Sequence, residues 1–119
     1  MPNNTNWFNS RPRETGKRYK MVCTMPAGNE DRTLAILDDL RLEMCKRFGG
    51  WTEHASAGGW LFEGKLVKEE SITFETSFIN RVDIESAREM FTTAGLLLGN
   101  DWIHIECHTF DAMHTKAQG

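Results

Sequence analysis

Two stretches of this chain repeat apolar residues at helical spacing, and the segments around them alternate apolar and polar residues in the way of strands. Tyr19 to Met25 (YKMVCTM) is a short apolar run that reads as a first strand, closed by Pro26 and Gly28. Asn29 or Asp31 can then cap a helix whose apolar positions are Leu34, Leu37, Leu40 or Leu42, Met44, Cys45 and Phe48, ended by Gly49-Gly50. Beyond it lie two short stretches, WTEH and WLFEGK, which the small residues Ala55 to Gly59 separate as a loop. Ser71 to Phe78 alternates cleanly, with Ile72, Phe74, Thr76 and Phe78 on one face and Ser71, Thr73, Glu75 and Ser77 on the other. Asp83 caps a second amphipathic helix reaching about Leu98, with Ile84, Ala87, Met90, Phe91, Ala94, Leu97 and Leu98 inward and Gly99-Asn100 as its stop. A last strand, Trp102 to Phe110, turns Ile103, Ile105 and Cys107 toward the helices and His104, Glu106 and His108 away from them.

The order strand, helix, strand, strand, helix, strand is the α+β ferredoxin-like βαββαβ arrangement, a four-stranded antiparallel sheet with both helices on one face. Its other face would carry Thr73, Glu75, His104, Glu106 and His108 and few large apolar groups. A bare, semi-polar sheet face of that kind meets solvent, a ligand or a partner subunit, so an oligomer is expected. The division that follows is a disordered basic leader over 1–18, a ferredoxin-like domain over 19–112 and a C-terminal tail over 113–119.

Length and composition agree with a single domain. At 119 residues the chain can bury one core, and its 39% hydrophobic and 26% charged content is that of an ordinary soluble protein. No apolar run approaches the roughly 20 residues that span a bilayer, so no membrane partner is expected. The N-terminus lacks a charged-then-apolar signal pattern, which points to the cytoplasm. Cys23, Cys45 and Cys107 are unclustered and lie on apolar periodicities, and read as reduced core residues. A net charge of −3 argues against a dedicated nucleic-acid binder. The charge is uneven: Arg11, Arg13, Lys17, Arg18 and Lys20 fall in the first 20 positions against Glu14 alone, leaving a distinctly acidic body suited to a cationic small molecule.

Candidate chemistry centres on Lys65 to Glu75, KLVKEESITFE, where the adjacent acids Glu69 and Glu70 enter the alternating strand. Neighbours in a strand point to opposite faces, so one is solvated while the other can be aimed into a site, and a one-residue slip of register exchanges them. Gly58 and Gly59 can let backbone approach a ligand. His104, Glu106 and His108 share a strand face, but residues two apart are roughly 7 Å from one another along a strand, too far for one metal ion to gather all three unaided. There is neither a Walker-type phosphate loop nor a local Cys/His nucleophile signature. Trp51, Trp60 and Trp102 are each able to stack on an adenine or simply to pack.

The element order, Phe48-Gly49-Gly50 after the first helix, the Gly59-Trp60 turn, the acid pair of KEESITFE and the SAREM run of the second helix together resemble the S-adenosylmethionine lyases, formerly called hydrolases, of short-tailed coliphages. The resemblance covers roughly 19–110, and the coliphage member carries a longer C-terminal extension. It implies a PII-like homotrimer with sites between subunits, working in the cytoplasm of an infected bacterial host. It also implies cleavage of S-adenosylmethionine to methylthioadenosine and homoserine lactone, without metal or cofactor. The family's essential glutamate matches Glu69, with Glu70 as the competing register; Met25, Trp60, Gly58, Gly59 and Glu106 enter as substrate-binding candidates from expected position. The alternative is a non-catalytic module of the same fold that sequesters a nucleotide-like small molecule or inhibits a host protein.

Overall fold

A computed structural model describes residues 15–115 and shows the expected architecture. Six elements follow one another: β1 (Thr15–Pro26), α1 (Asp31–Phe48), β2 (Thr52–Phe62), β3 (Lys65–Phe78), α2 (Asp83–Leu97) and β4 (Ile105–Met113). The strands form one antiparallel sheet in the order β2-β3-β1-β4. This is the ferredoxin-like fold, with both helices on one face of the sheet.

The core lies where strand period and helix period meet. Met21, Cys23 and Met25 of β1 and Phe74 and Phe78 of β3 face Ile36, Leu37, Leu40 and Met44 of α1 and Ala87, Met90, Phe91 and Ala94 of α2, all buried. Gly95 brings α2 close to the segment before β4; a Cβ there would collide with Ile103 Cγ1. The helix ends are as expected on the C-terminal side. Gly49 closes α1 in the left-handed region at φ 93°, and Gly99 follows α2 at φ 88°. At the other ends the cap positions are Glu30 and Val82, neither with a side-chain cap hydrogen bond, so Asn29, Asp31 and Asp83 do not cap as anticipated.

Several sequence expectations are corrected. Ala55 to Gly59 is not a loop. It lies inside β2, each residue paired with β3 from Ala55↔Ile72 to Gly59↔Lys68, and the chain reverses at Glu63-Gly64, both at positive φ (51° and 77°). Two consecutive positive φ values make the two-residue hairpin turn whose twist suits antiparallel strands. β3 therefore starts at Lys65 rather than Ser71. β1 starts at Thr15, so four residues assigned to the leader pair with β4, while 1–14 and 116–119 lie outside the described residues. β4 starts three residues later than expected, and Trp102, 93% exposed, is outside it. Leu34, Leu42 and Leu97 are exposed, because the apolar stripe of α1 runs through Ile36 instead and Leu97 edges the groove between the helices. Of the cysteines only Cys23 is core, and burial pushes its thiol up to about 12; Cys45 and Cys107 are exposed. Among the described residues no helix is long and apolar enough to cross a membrane.

Candidate functional site

The pairing register settles which side chains share a face. On the side away from the helices lie Ser56, Gly58 and Trp60 of β2, Glu69, Ser71 and Thr73 of β3, and Thr24 of β1, since Gly58 pairs with Glu69, Ser56 with Ser71 and Thr24 with Thr73. Glu70 pairs with Ala57 on the helix side, as does Gly59 with Lys68. The acid pair is thus split between the faces as expected, and the open face receives Glu69.

Around Glu69 the arrangement is specific. Its cross-strand partner Gly58 has no side chain, and an added Cβ there would meet nothing within 4 Å, so the space in front of the carboxylate is open. Trp60, half exposed, is the diagonal neighbour two residues along β2, at the roughly 7–8 Å that an aromatic ring can bridge. On the body side of Glu69 begins a chain of hydroxyls crossing three strands. Ser56 Oγ lies 2.9 Å from Ser71 Oγ and 3.0 Å from Thr73 Oγ1, which lies 3.1 Å from Thr24 Oγ1. Ser71 and Thr73 are buried polar residues. Their hydroxyls satisfy one another, and rotating them offers a row of donors and acceptors to a polar ligand. Glu69 is exposed and has no side-chain hydrogen bond or ion pair among the described residues.

Two candidates fall away from this cluster. Met25 points into the core and is fully buried, because its place on β1 has the parity of Met21 and Cys23. It cannot touch a ligand without unpacking the domain. Glu106 is on the open face but level with Val22 and Glu75, six residues along β3 from Glu69, or about 20 Å at about 3.4 Å per residue. There it accepts hydrogen bonds from His104 Nε2 and His108 Nε2, each at 3.0 Å, which hold its carboxyl below the usual carboxylate range. No group of three or more metal-ligating side chains able to hold an ion occurs among the described residues.

The hydroxyl chain was missed by sequence reasoning, and the reason is the turn. With the reversal placed at Ala55 to Gly59, Ser56 could not be paired with Ser71. The readable signal was Phe62-Glu63-Gly64-Lys65, a two-residue turn whose first member is Glu rather than the Asn or Asp that tolerates positive φ better.

Known structures share this fold. Over 79% of this chain and 82% of the other, the structure is similar to a Bacillus subtilis GlnK–ATP complex, with TM-score 0.59 and 14% identity. It is similar to the periplasmic divalent cation tolerance protein CutA from Archaeoglobus fulgidus, with TM-score 0.54 and 10% identity over 76% of this chain and 81% of that one. A Bacillus cereus protein related to NIF3 matches at TM-score 0.59 and 11% identity over 81% of this chain, which spans only 26% of the longer protein. No family model matches the sequence, and no curated protein matches it. At these identities the likeness concerns the fold, which is that of a PII-like, ferredoxin-like subunit. Folds of this kind host unrelated functions, so function rests on the site.

Proposed function

We propose that the protein binds S-adenosylmethionine at the root of the β2–β3 hairpin and cleaves it to methylthioadenosine and homoserine lactone. The observation that carries the reading is the shared face: the Glu69 carboxylate, the open space at Gly58, the Trp60 ring and the hydroxyl chain from Ser71 to Thr24 lie together. Each fits one part of an adenosyl sulfonium amino acid. A carboxylate suits the ammonium group, hydroxyls suit the ribose, and an indole suits the adenine. The GlnK neighbour is described in complex with ATP, which favours an adenosine-bearing ligand for a fold of this shape.

The chemistry asks little of the protein. A carboxylate oxygen of the substrate attacks its own Cγ as the Cγ–S bond breaks; the electron pair goes to sulfur, giving neutral methylthioadenosine and protonated homoserine lactone. No proton need move in that step, and the leaving group is already activated. Holding the aminobutyrate chain folded for attack can supply several kcal/mol, up to the roughly 7–11 kcal/mol of well-aligned intramolecular reactions. Glu69 serves by binding the ammonium. Because the sheet face beside Glu69 is open in one subunit, a second copy is expected to cover it, and a trimer is the assembly we expect. The exposed Trp60, Leu61, Phe62 and Leu66 toward the hairpin end provide apolar surface for such contacts.

The test is incubation with S-adenosylmethionine followed by mass spectrometry. Both products should form, and Glu69→Gln should slow turnover by about 100-fold, on the scale of losing one charge-stabilising contact, with the fold intact. Glu70→Gln, on the other face, should change it less than threefold. Intact substrate after prolonged incubation would sink the lyase reading. A second reading, a non-catalytic module, is favoured by the exposure of Glu69, which lacks the burial usual for a reactive carboxylate. It predicts calorimetric binding of the ligand and its recovery unchanged.

A further inference from the structure

At the opposite end of the sheet a second cleft takes no part in the reading above. β2 begins at Thr52, paired with Glu75, so the last rungs of β3 have no β2 partner. Gly50 and Trp51 pass over them instead, with the Thr76 hydroxyl donating to the Gly50 carbonyl at 2.9 Å. The resulting cleft, of about 310 Å³, is lined by Arg18, Lys20, Gly50, Trp51, Glu75 and Phe110 among others.

Two arrangements in it are hard to explain as packing. The first is cationic. Arg18 Nε and Nη2 donate to Ser77 Oγ at 3.4 and 3.2 Å, which fixes the guanidinium through one edge and leaves the Nη1–Nη2 edge for an anion. Lys20 Nζ lies 5.7 Å from the centre of the Phe110 ring and 3.5 Å from Glu75 Oε1. The second is aromatic. Trp51 is 39% exposed, yet its indole is held fast: Nε1 donates to Glu53 Oε1 at 2.8 Å, and that carboxylate accepts from Arg41 Nε at 2.6 Å and Nη2 at 3.0 Å. Asp38 holds Arg41 in turn, at 2.8 Å. An exposed ring that is already immobilised loses little entropy when a flat ligand stacks on it.

We infer that this cleft is a binding site for an aromatic monoanion or dianion of mononucleotide size, its base stacked on Trp51 and its phosphate on Arg18 and Lys20. The volume lies at the lower end of the about 300–1,000 Å³ of small-molecule sites, which excludes much larger ligands. Charge sets an upper limit as well. Glu75 offsets one of the two cations and leaves one net positive charge, which the roughly −1.5 to −2 of a monophosphate already uses up, while a triphosphate would crowd further negative charge against the Glu75 carboxylate.

Calorimetric titration of the full-length protein tests this with adenosine monophosphate, adenosine, inorganic phosphate, adenosine triphosphate and a single-stranded oligonucleotide. The monophosphate should saturate and bind at least about tenfold tighter than adenosine, phosphate or the triphosphate. Arg18→Gln and Trp51→Ala should each weaken it by about tenfold or more, whereas Arg88→Gln, which removes a surface arginine paired with Glu85, should not. Circular dichroism checks that each variant is folded; Arg18→Gln, on the sheet surface, decides the matter if Trp51→Ala is not. The inference is overturned by no saturable binding at millimolar monophosphate, by equal binding of adenosine, or by unchanged affinity in folded Arg18→Gln. Tighter binding of the oligonucleotide overturns it too. S-adenosylmethionine turnover in Arg18→Gln, measured alongside, should match wild type, so failure of this site is separate from failure of the Glu69 site.

Discussion

Phe74 and Leu66 stand on the same face of the same strand in opposite surroundings. Phe74 is completely buried beneath the helices with the Arg41 guanidinium 5.5 Å from its ring centre, whereas Leu66, eight residues earlier, is 64% exposed. The change comes abruptly at Ser71. From there to Phe78, β3 is buried or half-buried; from Lys65 to Glu70 every residue but Val67 is exposed. One continuous ladder therefore does two jobs. Its base is core, and its outer half is a free two-stranded hairpin, a form only marginally stable by itself in water. What the helices leave uncovered is where Glu69, Gly58 and Trp60 are found. The substitution Phe74→Ala should break the contrast most severely, costing about 3–5 kcal/mol in chemical denaturation for lost burial and the cavity left behind. Leu66→Ala should cost less than about 0.5 kcal/mol in the monomer. A large loss at Leu66 would mean that a second copy already covers the hairpin.

The hairpin itself contains a finer contrast. A Cβ on Gly59 would stand 2.5 Å from the Val67 carbonyl oxygen, a backbone atom that cannot move aside, while one on Gly58 meets nothing. Gly59→Ala should thus force the two strands apart at about 1–3 kcal/mol of local strain. Gly58→Ala should leave the ladder intact and act only on whatever occupies the space before Glu69. Hydrogen exchange of the β2–β3 amides distinguishes them: protection over the outer rungs should fall in Gly59→Ala and persist in Gly58→Ala.

The same boundary divides what was legible in the sequence from what was not. The buried half was readable because burial imposes a period. Ile72, Phe74, Thr76 and Phe78 alternate, α1 and α2 show their apolar stripes, and the strand-helix order follows from these. Where nothing is buried the period vanishes, and glycines inside a strand look like a turn. So Gly58 and Gly59 read as a loop, and the hydroxyl pairs from Ser56 to Thr73 leave no mark on the pattern. The split of Glu69 and Glu70 between faces was visible, but not which of them faces away from the helices, since that depends on a register fixed by Glu63-Gly64. Met25 shows the converse. Its apolar strand already marked it as core, and position near the expected site was a poor reason to give it a ligand.

Polar contacts between β2 and the body offer a gentler probe of the boundary. Glu53 is the first residue of β2 tied to a helix through its side chain, with Arg41 Nε and Nη2 on its two oxygens, and that pairing holds its carboxyl below the ordinary 4.5. Because the folded value is the lower one, the contribution to stability is fully present above pH 4.5 and disappears as pH falls through the depressed folded value. Partial exposure limits it to about 1 kcal/mol. Glu53→Gln should therefore be less stable than wild type by about that much at pH 7, and the gap should close as both are titrated below pH 4. Glu85→Gln, which removes an exposed pair with Arg88, should shift stability by less than about 0.5 kcal/mol at either pH. If denaturation curves show the two variants alike, β2 is fastened at its base by backbone ladder and packing alone, and the Trp51 indole that leans on Glu53 is held by less than its geometry implies.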